Sequence, residues 1–119
     1  MAPNPLFVIE RDGDTLILTP QTDLSELEYA QPITTEIVHL LSDMTIKNLV
    51  MDFHKSDYFG STALGFLIRL SKRIHERQGK MVLCNLSAHE VEILQVTKLQ
   101  DFWARYPSRE AALKAVKGQ

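Results

Sequence analysis

The chain has little of what several protein classes require. Only one of its 119 residues is cysteine, so no internal disulfide can form, and the run "MVLCNL" predicts that Cys84 is a buried structural thiol. Thirteen Lys and Arg against fifteen Asp and Glu give a net charge of -2, which provides no positive field for nucleic acid or anionic lipid. The longest apolar stretch, "TALGFLIRL", is interrupted by Arg69, and "MAPNPLFVIE" lacks the features of a signal peptide. We expect a cytoplasmic protein that neither binds nucleic acid nor inserts into a membrane.

Catalytic and metal-binding patterns are also missing. The histidines are His39, His54, His75 and His89. They are far apart in sequence, and no pair has the spacing of zinc ligands. Asp52, His54, Asp57 and Ser61 share one loop region, but their spacing supplies no nucleophile with a base and an orienting group. We therefore expect no enzymatic activity, no metal site and no cofactor.

The apolar runs predict five strands. "LFVIERDGDTLILTP" has two runs of strand-forming residues around Asp12-Gly13-Asp14, which is typical of a β-hairpin. "KNLVMDF" is almost continuously apolar, as in a central strand covered on both faces. "KMVLCNL" and "DFWARY" predict two further strands.

Helical spacing between these runs predicts four helices. The first begins close to Pro32, downstream of a Ser25-x-x-Glu28 capping pattern, and the second ends before Gly79. Ser87-x-x-Glu90 is a capping box for a third helix, with an apolar face of Val91, Ile93, Leu94 and Val96; Ser108 caps the fourth. We predict an α/β fold: a mixed sheet, opened by an N-terminal hairpin, with about four helices packed against it. Residues 1–119 are expected to form one domain with a core of about 5–116.

The stretch "SDYFGSTALGFL" places two hydroxyl residues at the start of the second helix. Ser61 is either an N-cap or first-turn residue of this helix, with Gly60 permitting a tight turn, or a site of modification, since a helix N-terminus favours an anion. At ~100° per residue, Leu64, Leu67, Ile68, Ser71 and Ile74 share the inward side. Phe66 then faces outward with Thr62, Arg69 and Arg73, which suits a protein contact. The two arginines either keep the domain soluble or contact an acidic partner.

The stretch "LVMDFHKSDYFGSTALGFL" resembles the signature of the STAS domain family, which includes the bacterial anti-sigma factor antagonists. That signature is an apolar strand ending in Asp, a loop, and Asp-Ser-Ser or Asp-Ser-Thr before Gly-Leu-Gly. The matching residues are Asp52, Ser61, Thr62, Leu64 and Gly65. Gly60 replaces the motif's aspartate and Ala63 its first glycine. The order of the later segments also matches, and the likeness is weakest from Pro20 to Ile33.

The resemblance implies a regulatory binding module of anti-sigma factor antagonist type. An anti-sigma factor that is also a serine kinase would phosphorylate Ser61, with Thr62 as a second acceptor, and bind the unmodified form; a PP2C-type phosphatase would reverse the modification. The predicted partner-binding residues are Asp57, Tyr58, Gly60, Ser61, Thr62, Phe66, Arg69 and Arg73. The protein is expected to be a monomer or weak dimer. The alternative is an unphosphorylated STAS adaptor or scaffold in a stressosome or a lipid- or anion-transport assembly.

Overall fold

The computed structural model describes residues 6–24 and 31–118. Within them the order of elements is the predicted one, β-β-α-β-α-β-α-β-α. The strands are β1 (Phe7–Asp12), β2 (Thr15–Pro20), β3 (Asn48–Asp52), β4 (Met81–Cys84) and β5 (Ala104–Tyr106). The helices are α1 (Gln31–Leu40), α2 (Ser61–Glu76), α3 (Ala88–Val96) and α4 (Arg109–Val116).

The strands form one mixed sheet in the order β1-β2-β3-β4-β5, which confirms the predicted fold class. β1 and β2 are antiparallel, and each later pair is parallel. Gly13, between β1 and β2, has φ +62°, a left-handed conformation that favours glycine, as the hairpin prediction required. β1 lies at one edge of the sheet and its second half is exposed, whereas β3 lies in the middle and is fully buried.

Each face of the sheet has its own apolar core. Leu49 and Met51 of β3 join a large cluster with side chains from α1, α2 and α3. Val50, which points the opposite way, joins a smaller cluster with Ala112 and Val116 of α4. Because successive side chains of β3 enter apolar cores on opposite faces of the sheet, the strand is almost continuously apolar in sequence.

The connection from α2 to β4 depends on one close backbone approach. A Cβ atom on Gly79 would lie 1.6 Å from the carbonyl oxygen of Lys47, which no side chain can accommodate. Gly79 N–H donates a hydrogen bond of 3.0 Å to the carbonyl of Ile74. α2 therefore ends before Gly79, as predicted, with Gln78 in a left-handed conformation at φ +60°, and Gly79 lets the chain pass the start of β3.

Some local predictions are confirmed and others are wrong. α1 begins at Gln31, next to Pro32, but the Ser25-x-x-Glu28 pattern lies outside the described residues. Both hydrogen bonds of the Ser87–Glu90 capping box are present, and Ser108 caps α4 by accepting from Ala111 N–H. Val96 was predicted to face the core but is 75% exposed; Leu94, with Ile93 beside it, is the side chain of this part of α3 that packs against the main core.

Among the described residues, none of the helices combines the length and the apolarity needed to cross a bilayer.

Candidate functional site

The N-terminus of α2 presents two exposed hydroxyl groups. Gly60 is the N-cap residue, and because it has no side chain, no side-chain hydrogen bond caps the helix. Ser61 is the first helical residue, so of the two positions considered for it, N-cap and first turn, it takes the first turn. The first bond of the helical ladder runs from Leu64 N–H to the Gly60 carbonyl, which leaves three earlier N–H groups outside the ladder. The partial positive charge of these groups falls beside the Ser61 hydroxyl.

The loop that leads into Ser61 is held by a neighbouring segment. Leu24 N–H donates to the Tyr58 carbonyl at 3.1 Å, and Gly60 N–H donates to the Leu24 carbonyl at 3.2 Å. The carboxylate of Asp23 accepts from Asp57 N–H at 2.8 Å. These bonds fix the backbone just before the helix, so the position of Ser61 is set by the fold.

The start of α3 holds the same loop from the other side. Ser87 Oγ donates to the Asp57 carbonyl at 3.0 Å, and Ser56 Oγ donates to Glu90 Oε2 at 2.8 Å. Glu90 is completely buried, and this burial raises the pKa of its carboxyl group despite the hydrogen bonds from Ser87 and Ser56. The ring of His89 lies 5.4 Å from that of Tyr58. The capping box of α3 therefore has a second role, which is to anchor the loop before Ser61.

The prediction that Phe66 faces outward is wrong. Phe66 is 2% exposed, and its ring lies 6.3 Å from that of Phe7 on β1. Ile68, placed inward by the helical wheel, is instead 38% exposed. The buried arc of α2 is centred on Ala63, Leu70 and Ile74 and includes Phe66 at its border. Phe66 is thus a core residue and no longer a candidate for partner binding.

The other predicted site residues lie at or near the surface of this region. Asp57, Ser61, Thr62, Arg69 and Arg73 are exposed, while Tyr58 and Gly60 are half-buried. The guanidinium of Arg69 lies 5.6 Å from the centre of the Phe66 ring, which gives the buried aromatic a cation at its outer side. The partner-binding roles of these exposed residues stay predictions.

A buried polar cluster at the end of β3 was not predicted. Asp52 accepts a hydrogen bond from one backbone group, His54 N–H, at 3.1 Å. Asn85 Nδ2 donates to Asp52 at 2.9 Å, Arg109 Nε at 3.0 Å, and His54 Nδ1 lies 3.0 Å away. Burial alone would raise the pKa of Asp52, but the hydrogen bonds from Asn85, His54 and Arg109 together keep that pKa below its ordinary value. Asp52, the aspartate at the end of the signature's strand, therefore has a structural role.

Arg109, the first residue of α4, connects this cluster to the hairpin. Its guanidinium also donates to both carboxylate oxygens of Glu10, at 3.1 and 3.2 Å, and to Thr19 Oγ1 at 3.0 Å. Its partners are 57 to 99 positions away in sequence, so no local pattern identifies them. Arg109 joins the first three strands to α4.

The residues considered for catalysis do not form one constellation. Asp52 pairs with His54, whereas Asp57 approaches His89 at 3.7 Å, so the two carboxylates have different partners. In the part of the chain that the structure describes, no three His, Cys, Asp or Glu side chains converge as a metal site would require. Cys84 is buried as predicted, and this burial raises the pKa of its thiol to about 12.

The family model for the STAS domain matches residues 7–112. The chain belongs to the STAS domain family. The STAS signature therefore corresponds here to the end of β3, the anchored loop and the first turn of α2. Gly60 has φ -95°, which any residue can adopt, so the backbone does not explain why glycine replaces the motif's aspartate. Ala63, in place of the motif's first glycine, has its methyl group in the main core.

One curated relative is named as an anti-sigma factor antagonist. The chain is 31% identical over 71 residues to a Bordetella bronchiseptica protein named "Putative anti-sigma factor antagonist BtrV". The match covers 60% of this chain and 61% of BtrV, so it spans less than two thirds of the relative's length.

Solved structures of STAS domains share the whole architecture. An anti-sigma factor antagonist domain protein from Planctomyces limnophilus is 28% identical, with a TM-score of 0.83 over 93% of this chain and 97% of that chain. SpoIIAA in its unphosphorylated form is 17% identical and has a TM-score of 0.81 over 95% and 97%. The phosphorylated form of SpoIIAA, a Bacillus cell fate determinant, is 16% identical and has a TM-score of 0.71 over 92% and 98%. The chain has the STAS fold of the anti-sigma factor antagonists.

Proposed function

We propose that this protein is a phosphorylation-controlled binding module of the anti-sigma factor antagonist type. In the unmodified state it binds an anti-sigma factor that is also a serine kinase. The kinase transfers phosphate to Ser61, or to Thr62 as the second acceptor, and a PP2C-type phosphatase removes it. The protein itself acts by binding and not by catalysis.

The observation that carries this proposal is the geometry of Ser61. Its hydroxyl is exposed at the first position of α2, no side-chain cap competes for the free N–H groups, and the preceding loop is anchored on two sides. A serine whose only task was capping would lie one residue earlier and accept from those N–H groups. The likeness to BtrV and to the Planctomyces domain supports the same role.

Phosphate at Ser61 is compatible with the fold but not with a buried interface. It adds about -1.5 to -2 charges at pH 7, and the free N–H groups and dipole of α2 favour a negative charge. A partner that covered this surface would have to desolvate the dianion, at a cost of several kcal/mol unless it supplied cations. The modified form is therefore expected to release its partner.

Mass spectrometry of the protein from its native cells, with and without stress, tests the proposal. We expect a phosphate on Ser61 whose occupancy changes with stress, and its loss in Ser61→Ala but not in Thr62→Ala. A phosphate that stays in Ser61→Ala and disappears in Thr62→Ala would move the acceptor to Thr62. No phosphate under any condition would reject the switch and favour the adaptor or scaffold in a stressosome or transport assembly.

Gly60 gives this experiment a second arm. Because its backbone conformation suits any residue, Gly60→Asp restores the motif's carboxylate without strain. We expect equal or faster labelling of Ser61 in this variant. Slower labelling would mean that the kinase of this system prefers a substrate without a carboxylate at position 60.

A further inference from the structure

Gly65 is a glycine that the fold itself does not require. It lies inside α2, on the exposed face and one turn after Ser61, and a Cβ atom added there would meet nothing within 4 Å. Glycine is less favourable than alanine in a helix interior because it loses more backbone freedom on folding. Gly79, by contrast, is required by the nearby Lys47 carbonyl. A bare backbone at Gly65 leaves room for something outside the described residues to come close to the helix.

Positive charge follows Gly65 along the same face. Arg69, Lys72 and Arg73 are exposed, against one carboxylate at Glu76. Within residues 6–24 and 31–118, none of the three cations forms an ion pair with a carboxylate. The chain as a whole carries a net charge of -2, so this positively charged face has the opposite sign to the net charge of the chain. Its electrostatic complement is an acidic surface.

An apolar groove runs beside these cations. Its two largest apolar side chains are Ile68, 38% exposed, and Phe102, 46% exposed, and its volume is about 490 Å³. Lys72 and His75 also line it. The hydroxyl of Ser71, another lining residue, is buried and has no hydrogen-bond partner in the described structure. An apolar side chain next to an acidic group would fit a surface of this composition.

We propose that the exposed face of α2 docks an acidic helix of a partner protein, which crosses α2 at Gly65. Helix axes approach most closely, about 8 Å, where the side chains at the crossing point are small. The partner's carboxylates pair with Arg69, Lys72 and Arg73, and an apolar residue beside them enters the groove between Ile68 and Phe102.

This inference rests on the proposed function, and it explains the sign of the switch. Ser61 and Gly65 are four residues apart, so their side-chain positions are about 5–6 Å from each other on the helix surface. A phosphate on Ser61 then faces the acidic partner at the crossing point. Repulsion between the phosphate and the partner's carboxylates releases the complex, while α2 keeps its structure.

The experiment captures the partner at the proposed surface and then measures its affinity. A benzophenone amino acid replaces Ile68 in cells of the native host, with Met44, an exposed residue between α1 and β3, as the control position. The protein cross-linked at position 68 is purified, and its binding is measured to wild type, Gly65→Ala, Gly65→Gln, Lys72→Glu and the control Lys114→Glu on α4. Thermal unfolding of each variant is measured in parallel.

The expected result is a cross-link to an acidic helix of another protein. Gly65→Gln and Lys72→Glu should each weaken its binding by about tenfold or more, since both lie at the centre of the contact. Lys114→Glu should leave binding unchanged, and Gly65→Ala should unfold at a higher temperature than wild type while binding less tightly. Added salt should weaken the wild-type complex.

Four outcomes would overturn the inference: no cross-link at position 68, a cross-link to a second copy of this chain, a cross-link to a basic segment, or binding that is indifferent to Gly65→Gln and Lys72→Glu. A captured serine kinase that tolerates both substitutions would keep the proposed function and remove the inference. A captured partner that binds through an acidic helix but is neither a kinase nor an anti-sigma factor would keep the inference and reject the proposed function.

Discussion

At the scale of single residues, the ion pair between Asp52 and Arg109 is the one among the described ion pairs whose disruption should cost the most stability. The Asp52 side chain is 2% exposed and that of Arg109 is 26% exposed, so the pair is largely shielded from water. Removing one partner of a buried pair is costly because the remaining charge has no compensation. Removal of one partner of this pair is therefore expected to destabilise the fold much more than removal of one partner of a surface ion pair.

Arg109→Met is therefore expected to lower the free energy of unfolding at pH 7 by about 3–5 kcal/mol. The matched control is Lys117→Met, which breaks the more exposed ion pair with Asp12 and should cost no more than about 1 kcal/mol. Urea unfolding followed by circular dichroism measures both values. Equal losses in the two variants would show that the Asp52 pair gives no more than a surface pair.

The buried carboxyl groups also predict opposite responses to pH. The pKa of Asp52 is lowered in the folded protein, so its contribution to stability is present above the unfolded pKa, about 3.9, and is lost as the pH falls through the folded value. The pKa of Glu90 is raised, chiefly by burial, so its contribution is present below the unfolded pKa and is lost as the pH rises through the folded value.

Two substitutions separate these contributions. Relative to wild type, Glu90→Gln should become more stable as the pH rises above about 4.3, since the glutamine is uncharged; its oxygen can accept from Ser87 N–H, and its NH2 group can donate to the Ser56 hydroxyl. Asp52→Asn should become less stable relative to wild type as the pH rises through the acid range. Urea titrations from pH 3 to 8 measure both differences, and two pH-independent differences would contradict the assignment.

At the scale of elements, the sequence predicted the type and order of every described strand and helix. Alternation, apolar runs and capping residues are local signals, and they were sufficient for this. The faces of the helices were harder to predict because a helical wheel takes no account of neighbours. Phe66 lies at the border of the apolar arc of α2, and Phe7, nearly sixty residues earlier, covers it.

Contacts between elements distant in sequence also limited what could be predicted about the candidate site. The position of Ser61 follows from the signature in the sequence, but the anchoring of its loop by Asp23, Ser87 and Glu90 does not, since each contact joins residues about thirty positions apart. The part of the site that is local in sequence could be predicted, and the part that depends on packing between elements could not.

Alanine substitutions on α2 test the corrected helix face. Phe66→Ala should lower the free energy of unfolding by about 3–5 kcal/mol because it leaves a cavity beside Phe7. Ile68→Ala should cost far less, because that side chain is already partly in water. Chemical denaturation of both variants measures the difference, and a larger loss for Ile68 would restore the original prediction from the wheel.

At the scale of the whole molecule, the fold separates Ser61, the proposed phosphate acceptor, from the structural core. Ser61 lies at the end of α2, on the surface, while the two apolar cores lie on either side of the sheet. Under the proposed function, a charge at this position is expected to change binding without changing the fold.

Ser61→Glu should thus leave the free energy of unfolding within about 1 kcal/mol of wild type, on the stabilising side, because the N-terminus of a helix favours negative charge. The control His75→Glu places the same charge in the last turn of α2 and should be destabilising at pH 7 for the opposite reason. Urea unfolding and circular dichroism of the two variants provide the test. A strongly destabilised Ser61→Glu protein would mean that phosphorylation acts by unfolding the domain.

The two edge strands of the sheet have features that oppose pairing with another chain. The exposed half of β1 carries Glu10, Arg11 and Asp12 in succession, and at the opposite edge β5 has only three residues, with Arg105 exposed at its centre. Charged and short edge strands discourage another chain from pairing its backbone with the sheet. Fibril-like growth by addition of strands at either edge of the sheet is thereby disfavoured.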